Sequence, residues 1–286
     1  MTALDRAGFL GVAAAAAATT GFADAQTSDF GKPHPPIVAE DDPAIVVQRI
    51  KLQRPDAAIN AYVAMPATVD ATTPGVVMSI HIWGIDAQYR DMARRLAKAG
   101  YIAIVPGLFD RITAVPGDAP ADMAVYQAAA KAMYAAGTEQ GDLIAAHDWL
   151  KAKAPSGKIG IYGNCMGGGM ALQALVANQR FAAASILYGY VRADRKTSQP
   201  PPPDAFAWAP KVTAAVIGSY GADDASISWD DVQAAYGAMS GPHDVKLYPG
   251  AAHAFLDDTR PSYRPGPAAD AWARQMAWFS KYLTAV

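Results

Sequence analysis

The stretch Lys158-Ile-Gly-Ile-Tyr-Gly-Asn-Cys-Met-Gly-Gly-Gly-Met-Ala-Leu-Gln-Ala-Leu-Val176 decides how the chain is read. Its first five residues, ending at Tyr162, read as a short buried strand, and Gly169 to Val176 reads as a helix. Between them Gly163-Asn-Cys-Met-Gly167 is a G-x-C-x-G turn, the cysteine form of the strand–turn–helix that presents a nucleophile. So tight a turn needs small neighbours, hence Gly163 and Gly167. Cys165 is the only cysteine of the chain. It stands near a helix N-terminus, whose partial positive charge favours a thiolate. The plain alternative is a buried structural thiol; the glycines and the strand–helix context argue against it.

Outward from this turn, strands and helices alternate. Ala44–Leu52 and Ile59–Met65 read as two strands around a polar turn, an antiparallel hairpin. Pro74–His81 and Tyr101–Pro106 read as buried strands, with a helix over Gln88–Ala99 between them. Helices are expected near 121–135 and 138–152, before the strand of the turn. After it come a strand over Ala182–Tyr188, a long Pro-rich loop over 191–210, a strand over Val212–Ser219, a helix over Trp229–Met239, a strand over Asp244–Tyr248 and a closing amphipathic helix over Ala268–Leu283. Alternation of this kind means a mostly parallel sheet covered on both faces. With the hairpin first and the tight turn on a middle strand, the pattern predicts an α/β-hydrolase fold.

The 286 residues, 52% hydrophobic and 17% charged, can bury one large core. A net charge of −2 with no basic block speaks against nucleic acid or an anionic membrane as the main partner. Residues 1–25 read as a cleaved export signal: a short n-region with Arg6, an apolar run from Gly8 to Phe22, and Ala23-Asp24-Ala25 as the cleavage site. The apolar run is shorter than the roughly 20 residues a membrane span needs. The mature chain, 26–286, is then a single periplasmic or secreted domain without membrane attachment, expected to be a monomer. In an oxidising compartment a lone free thiol is better explained by chemistry than by packing.

A cysteine nucleophile needs a base and a group that orients the base. On this fold the chain order is nucleophile, acid, histidine. His243 and His253 follow Cys165. His253 sits in a loop just past the Asp244–Tyr248 strand, where the base belongs, whereas His243 precedes that strand. The acid should follow the Val212–Ser219 strand, where Asp223 and Asp224 are adjacent; residue spacing leaves both open. The oxyanion hole should use the Met166 N–H and one from the loop after His81, with Ile82 as donor. Trp83, Tyr188 and Tyr190 are candidates for an apolar wall. His34, His81, His147, His243 and His253 show no H-E-x-x-H or paired ligand spacing. The Gly163–Gly169 run lacks G-x-G-x-x-G, so dinucleotide binding is not indicated.

The chain resembles the dienelactone hydrolase (carboxymethylenebutenolidase) family over about residues 45 to 284. The resemblance is carried by Gly-Asn-Cys-Met-Gly-Gly, by Arg90-Asp-Met-Ala-Arg-Arg-Leu-Ala-Lys-Ala-Gly-Tyr-Ile-Ala-Ile-Val-Pro106 and by Tyr248-Pro-Gly-Ala-Ala-His-Ala-Phe255. It favours Asp224 as the acid, through the Gly221-x-x-Asp224 spacing. It implies hydrolysis of a small-molecule lactone or enol ester through an acyl-cysteine, with no metal or organic cofactor. Three departures stand out. Where the family has His-Glu-x-x-Gly, with a glutamate that keeps the cysteine neutral at rest, this chain reads His81-Ile-Trp-Gly84, so the glutamate is either replaced by His81 or deleted; His81 is expected either to contact the sulfur or to bond backbone. Gly107 stands where the family often has Asp. Of the two arginines that hold the substrate carboxylate in the family, Arg111 matches one by position, but the other position is Asp257, a repelling charge.

The expected activity is therefore a cysteine-dependent hydrolase of lactones or of enol and activated esters. The rivals are a general exported esterase or thioesterase of the same fold, and a thiol-sensing or binding protein without turnover.

Overall fold

The computed structural model describes residues 35–284, apart from 114, 116–117, 119–121 and 193–205. The expected export signal and most of the 191–210 loop lie outside the described residues.

The strands are β1 (Ile45–Gln53), β2 (Ala58–Pro66), β3 (Gly75–Ser79), β4 (Ile102–Pro106), β5 (Ile159–Asn164), β6 (Ala183–Leu187), β7 (Ala215–Gly221) and β8 (His243–Tyr248). They form one sheet in the order β1-β2-β4-β3-β5-β6-β7-β8. β2 is antiparallel to both β1 and β4, and every later pairing is parallel, so β2 alone runs against the rest. Residues of β3 to β7 are buried along their whole length. That is why they read as unbroken apolar runs: a parallel sheet hides both faces. β1 at the edge alternates instead, with Leu52 buried and Arg49 and Lys51 outside.

The helices are α1 (Ala87–Lys98), α2 (Met123–Ala136), α3 (Glu139–Lys153), α4 (Met166–Ala177), α5 (Trp229–Gly237) and α6 (Pro265–Leu283). Chain order reverses at β3: α1 leads to β4 on one side, and α2 and α3 lead back across to β5 on the other. Right-handed crossovers then place α1 and the α3–α4 pair on opposite faces. α3 and α4 do pack together, and α6 meets the α1 side through Tyr101 and Phe279, with ring centroids 5.9 Å apart. In such a sheet the crevice for a ligand opens at the carboxyl ends of the strands flanking the reversal. Here those are β3, which leads to Ile82, and β5, which leads to Cys165.

Several expected boundaries move. α4 starts at Met166, directly after the cysteine, rather than at Gly169, so Gly167 to Gly169 are helical. Glycine is a poor helix former, and tertiary packing overrides that preference here. α6 starts at Pro265, where a proline at the first helical position loses no hydrogen bond. β3 stops at Ser79, two residues before His81. Among the described residues no helix is long and apolar enough to cross a membrane.

Candidate active site

Cys165 occupies the turn between β5 and α4 with φ 52° and ψ −127°, a left-handed backbone that costs a non-glycine residue about 1–3 kcal/mol. The turn closes because its neighbours lack side chains. A Cβ on Gly163 would run into the Gly167 carbonyl, and one on Gly167 would run into the Ser79 carbonyl. The second contact also presses the start of α4 against the end of β3. Met166 is the first residue of α4, so its N–H has no acceptor within the helix. Ile82 lies in the turn after β3 that Gly84 N–H closes by donating to the His81 carbonyl at 3.1 Å. The structure thus brings the two expected oxyanion donors to adjoining segments.

His253 follows β8, and Asp224 follows β7. The two loops are tied by backbone: Asp223 N–H donates to the Ala251 carbonyl at 2.9 Å, and Ala222 N–H to the Tyr248 carbonyl at 2.9 Å. Asp224 Oδ2 lies 2.7 Å from His253 Nδ1. Its other oxygen accepts from Ser226 N–H at 2.9 Å and from Ser226 Oγ at 2.5 Å. Asp224 is buried and its neighbour Asp223 is exposed, so of the two only Asp224 faces the imidazole. Burial would raise the Asp224 carboxyl, but His253 and Ser226 outweigh it and hold it below the ordinary value. Burial alone would also lower His253. The electrostatic interaction and hydrogen bond with Cys165 and the bond to Asp224 oppose that and lift it from 6.5 to about 10. With Nδ1 on Asp224, the interaction of His253 with Cys165 falls to Nε2, which is buried and has no other partner among the described residues. An imidazole fixed through Nδ1 and facing a sulfur through Nε2 can hold a proton for a thiolate or take one from it.

Three residues expected to bind substrate are placed differently. Tyr188, at φ 39°, is only 1% exposed, so it packs beneath the site instead of lining it. Its ring meets that of His253 edge-on at 5.1 Å and that of Phe255 at 5.5 Å. His81 is likewise buried. Its Nε2 lies 3.1 Å from Asp86 Oδ1 and its ring leans on Tyr89 at 4.4 Å, a pairing with a side chain where sulfur or backbone was expected. Arg111 is held by Asp142 through Nε (3.1 Å) and Nη2 (2.6 Å) and by Asp56 through Nη1 (2.6 Å). Both carboxylates come from regions remote in sequence, and with them Arg111 has its charge satisfied within the protein.

Trp83 is partly buried, edge-on to Tyr126 at 4.7 Å, and Tyr190 tilts against His253 at 5.8 Å. Over Trp83 lies a residue that the sequence reading missed. The Arg260 guanidinium sits 4.1 Å from the Trp83 ring centre. Its Nε is 3.2 Å from Asp257 Oδ2, its Nη2 is 3.8 Å from Asp86, and its side chain stays 32% exposed. Asp257, expected as a repelling charge, is buried, neutralised by Arg260 and bonded by Thr259 N–H and Oγ1 at 3.0 and 2.6 Å. The accessible charge in this loop is therefore positive. The available signal was the spacing of Asp257 and Arg260, the i to i+3 reach of a turn. Behind the loop, Arg95 of α1 bridges Asp258 at 2.6 Å and Asp91 at 2.5 Å, fastening the His253 loop to the helix.

Residues 59–283 match the model of the dienelactone hydrolase family. A protein of Methylorubrum extorquens provisionally named carboxymethylenebutenolidase is 32% identical over 252 residues, covering 86% of this chain and 84% of its own length. A provisionally named dienelactone hydrolase from Klebsiella pneumoniae superposes with a TM-score of 0.71 at 30% identity, over 84% of this chain and all of that one. The dienelactone hydrolase of Anabaena variabilis shares the fold at 17% identity, with a TM-score of 0.61 over 84% of this chain and 99% of its own. A matched span that runs from β2 to the end of α6, and so holds every element built around Cys165, makes this chain a hydrolase of the dienelactone hydrolase family.

Proposed function

We propose that the protein hydrolyses lactones or enol and activated esters through an acyl-cysteine, with Cys165 as nucleophile, His253 as acid and base, and Asp224 as the group that orients His253. The observation that carries this reading is the coupling of a left-handed cysteine at a helix start to an imidazole that Asp224 holds by its far nitrogen.

Attack by the thiolate on the carbonyl carbon forms the C–S bond, and the oxygen takes the negative charge between the Met166 and Ile82 N–H groups. Collapse breaks the C–O bond, and the His253 imidazolium gives its proton to the departing alkoxide or enolate. Acylation removes the charge on sulfur. With it goes the first of the causes that lift His253, and burial then acts in the opposite direction. The imidazole is thereby turned into a base at the step that needs one. Water gives it a proton and adds to the thioester, and the carboxylic acid leaves as the thiolate is restored. Thiolates expel good leaving groups best, which favours enol lactones and activated esters over amides.

Arg260 deepens the substrate reading. A partly exposed guanidinium over Trp83, beside the loop of Ile82, offers a charge to an anionic substituent. The reading includes export of the mature chain 26–286 as a monomer, which intact mass and sedimentation of the secreted protein test.

The deciding experiment follows a chromogenic acetate ester and dienelactone with wild type and Cys165→Ala. Turnover that disappears in the variant, with an acyl adduct on Cys165 by mass, supports the mechanism. A variant that keeps its turnover refutes it. Hydrolysis of the acetate alone transfers the reading to a general esterase, and oxidation of Cys165 without any turnover transfers it to a thiol sensor.

A further inference from the structure

Asn164 is the residue before the nucleophile, the last of β5, and only 1% exposed. Its amide is enclosed by three phenols. Tyr89 Oη lies 3.0 Å from its Oδ1, and its Nδ2 donates toward Tyr162 Oη at 3.3 Å and Tyr188 Oη at 3.5 Å. An apolar residue would fill such a place without needing partners, whereas a buried amide is tolerated only when it is hydrogen-bonded.

Each phenol reaches a different part of the machinery. Tyr89, from the first turn of α1, donates to the Ser79 carbonyl at 2.5 Å, where β3 leads into Ile82, and carries the His81 ring at 4.4 Å. Tyr188, from the end of β6, supports the His253 ring edge-on. Tyr162 lies within β5 itself, and its ring meets that of Tyr89 at 6.1 Å. Burial pushes all three hydroxyls above their ordinary range, so they remain neutral: Tyr89 donates, while Tyr162 and Tyr188 accept from the Asn164 amide. The oxyanion loop, the nucleophile and the base therefore meet at one side chain that touches none of the reacting atoms.

We propose that Asn164 is a positioning residue: through the hydroxyls of Tyr89, Tyr162 and Tyr188 it sets Cys165 against the His253 ring. The proposal rests on the reading of Cys165 as nucleophile, and its test separates the two.

Asn164→Ala, Tyr188→Phe and their combination are compared with wild type in ester turnover and in alkylation of Cys165 by iodoacetamide. Asn164→Ala is expected to lower kcat by about tenfold to a hundredfold with KM changed by less than about twofold, the signature of misplacement. Alkylation should slow near neutral pH and keep its rate in alkali, where the thiol ionises wherever His253 stands. Tyr188→Phe, which keeps the ring and deletes one oxygen, should show a smaller loss in kcat. The double variant should be no worse than Asn164→Ala, because the hydroxyl has already lost its partner. An unchanged kcat in Asn164→Ala, losses that multiply in the double variant, or alkylation slowed equally at both pH values would each overturn the proposal.

If Asn164→Ala does not fold, Tyr188→Phe and Tyr89→Phe decide: a lower kcat at constant KM supports the proposal, and wild-type kcat in both refutes it. If Cys165→Ala retains turnover, the nucleophile assignment fails, yet the alkylation rates at the two pH values still judge Asn164.

Discussion

Two histidines of this protein are each paired with a buried carboxylate, and they face it with different nitrogens. His253 is held by Asp224 through Nδ1 at 2.7 Å, so the nitrogen at the tip of the ring is left to face the sulfur of Cys165. His81 turns its tip to the carboxylate instead, with Nε2 3.1 Å from Asp86 Oδ1, an ion-pair distance. Asp86 also caps α1 by accepting from Tyr89 N–H at 3.0 Å and lies 3.8 Å from Arg260. On the proposed mechanism the same pair of side chains makes a proton-transfer group in one orientation and a loop fastener in the other. Which ring nitrogen faces the carboxylate matters more than the presence of the pair.

The largest test of this contrast replaces each imidazole. His253→Ala should cost about 10⁴ or more in kcat, the scale of losing a triad member. His81→Asn should cost less than about tenfold, since it only loosens the turn that carries Ile82. Steady-state kinetics on one ester measure both, and equal losses would break the comparison. Exchanging the carboxylates comes next. Asp224→Asn should lower kcat by about 10² to 10⁴, because the amide favours the wrong imidazole tautomer. Asp86→Ala should instead show itself mainly in thermal unfolding, by about 1 kcal/mol of lost capping.

Arg260 sharpens the comparison at the substrate. Arg260→Gln should lower kcat/KM for a carboxylate-bearing ester by about tenfold, leaving a neutral ester of the same size within about twofold. Equal losses on both esters would assign Arg260 to the loop rather than to recognition.

A further effect is the pH dependence of stability. His253 binds its proton more tightly folded than unfolded, since its pKa rises from 6.5 to about 10. The stabilisation is complete below the lower value and fades as pH climbs through the upper one. The difference in Tm between wild type and His253→Gln should therefore shrink across that window, and a difference that grows there would contradict the pairing.

Much of the frame could be read from the chain because parallel strands are apolar from end to end and the turn at Cys165 tolerates only small neighbours. The order of nucleophile, acid and base follows from the order of strands. What escaped the sequence was decided by partners far along the chain. Arg111 stands just after β4 as expected, but Asp56 and Asp142 claim it from two other segments. Asp223 and Asp224 are alike in composition and spacing, and only the path of the loop turns one of them toward His253. Tyr188 reads as a wall residue because an aromatic after a strand end commonly faces a crevice, yet its left-handed backbone turns the ring beneath the base. Arg260 was hidden because its value comes from Trp83, which lies in the loop after another strand.

The backbone at Cys165 has a consequence for the chain as a population of variants. The left-handed turn is borne by every folded molecule, with or without substrate. Glycine is at ease in such a conformation, and the chain entropy it adds, about 0.5–1 kcal/mol, is smaller than the strain of about 1–3 kcal/mol that it removes. Under the proposed reading of Cys165 as nucleophile, Cys165→Gly is expected to yield a sturdier, inert protein. A screen that rewards heat resistance alone would then collect that substitution, and on that reading only a demand for turnover keeps sulfur at the position.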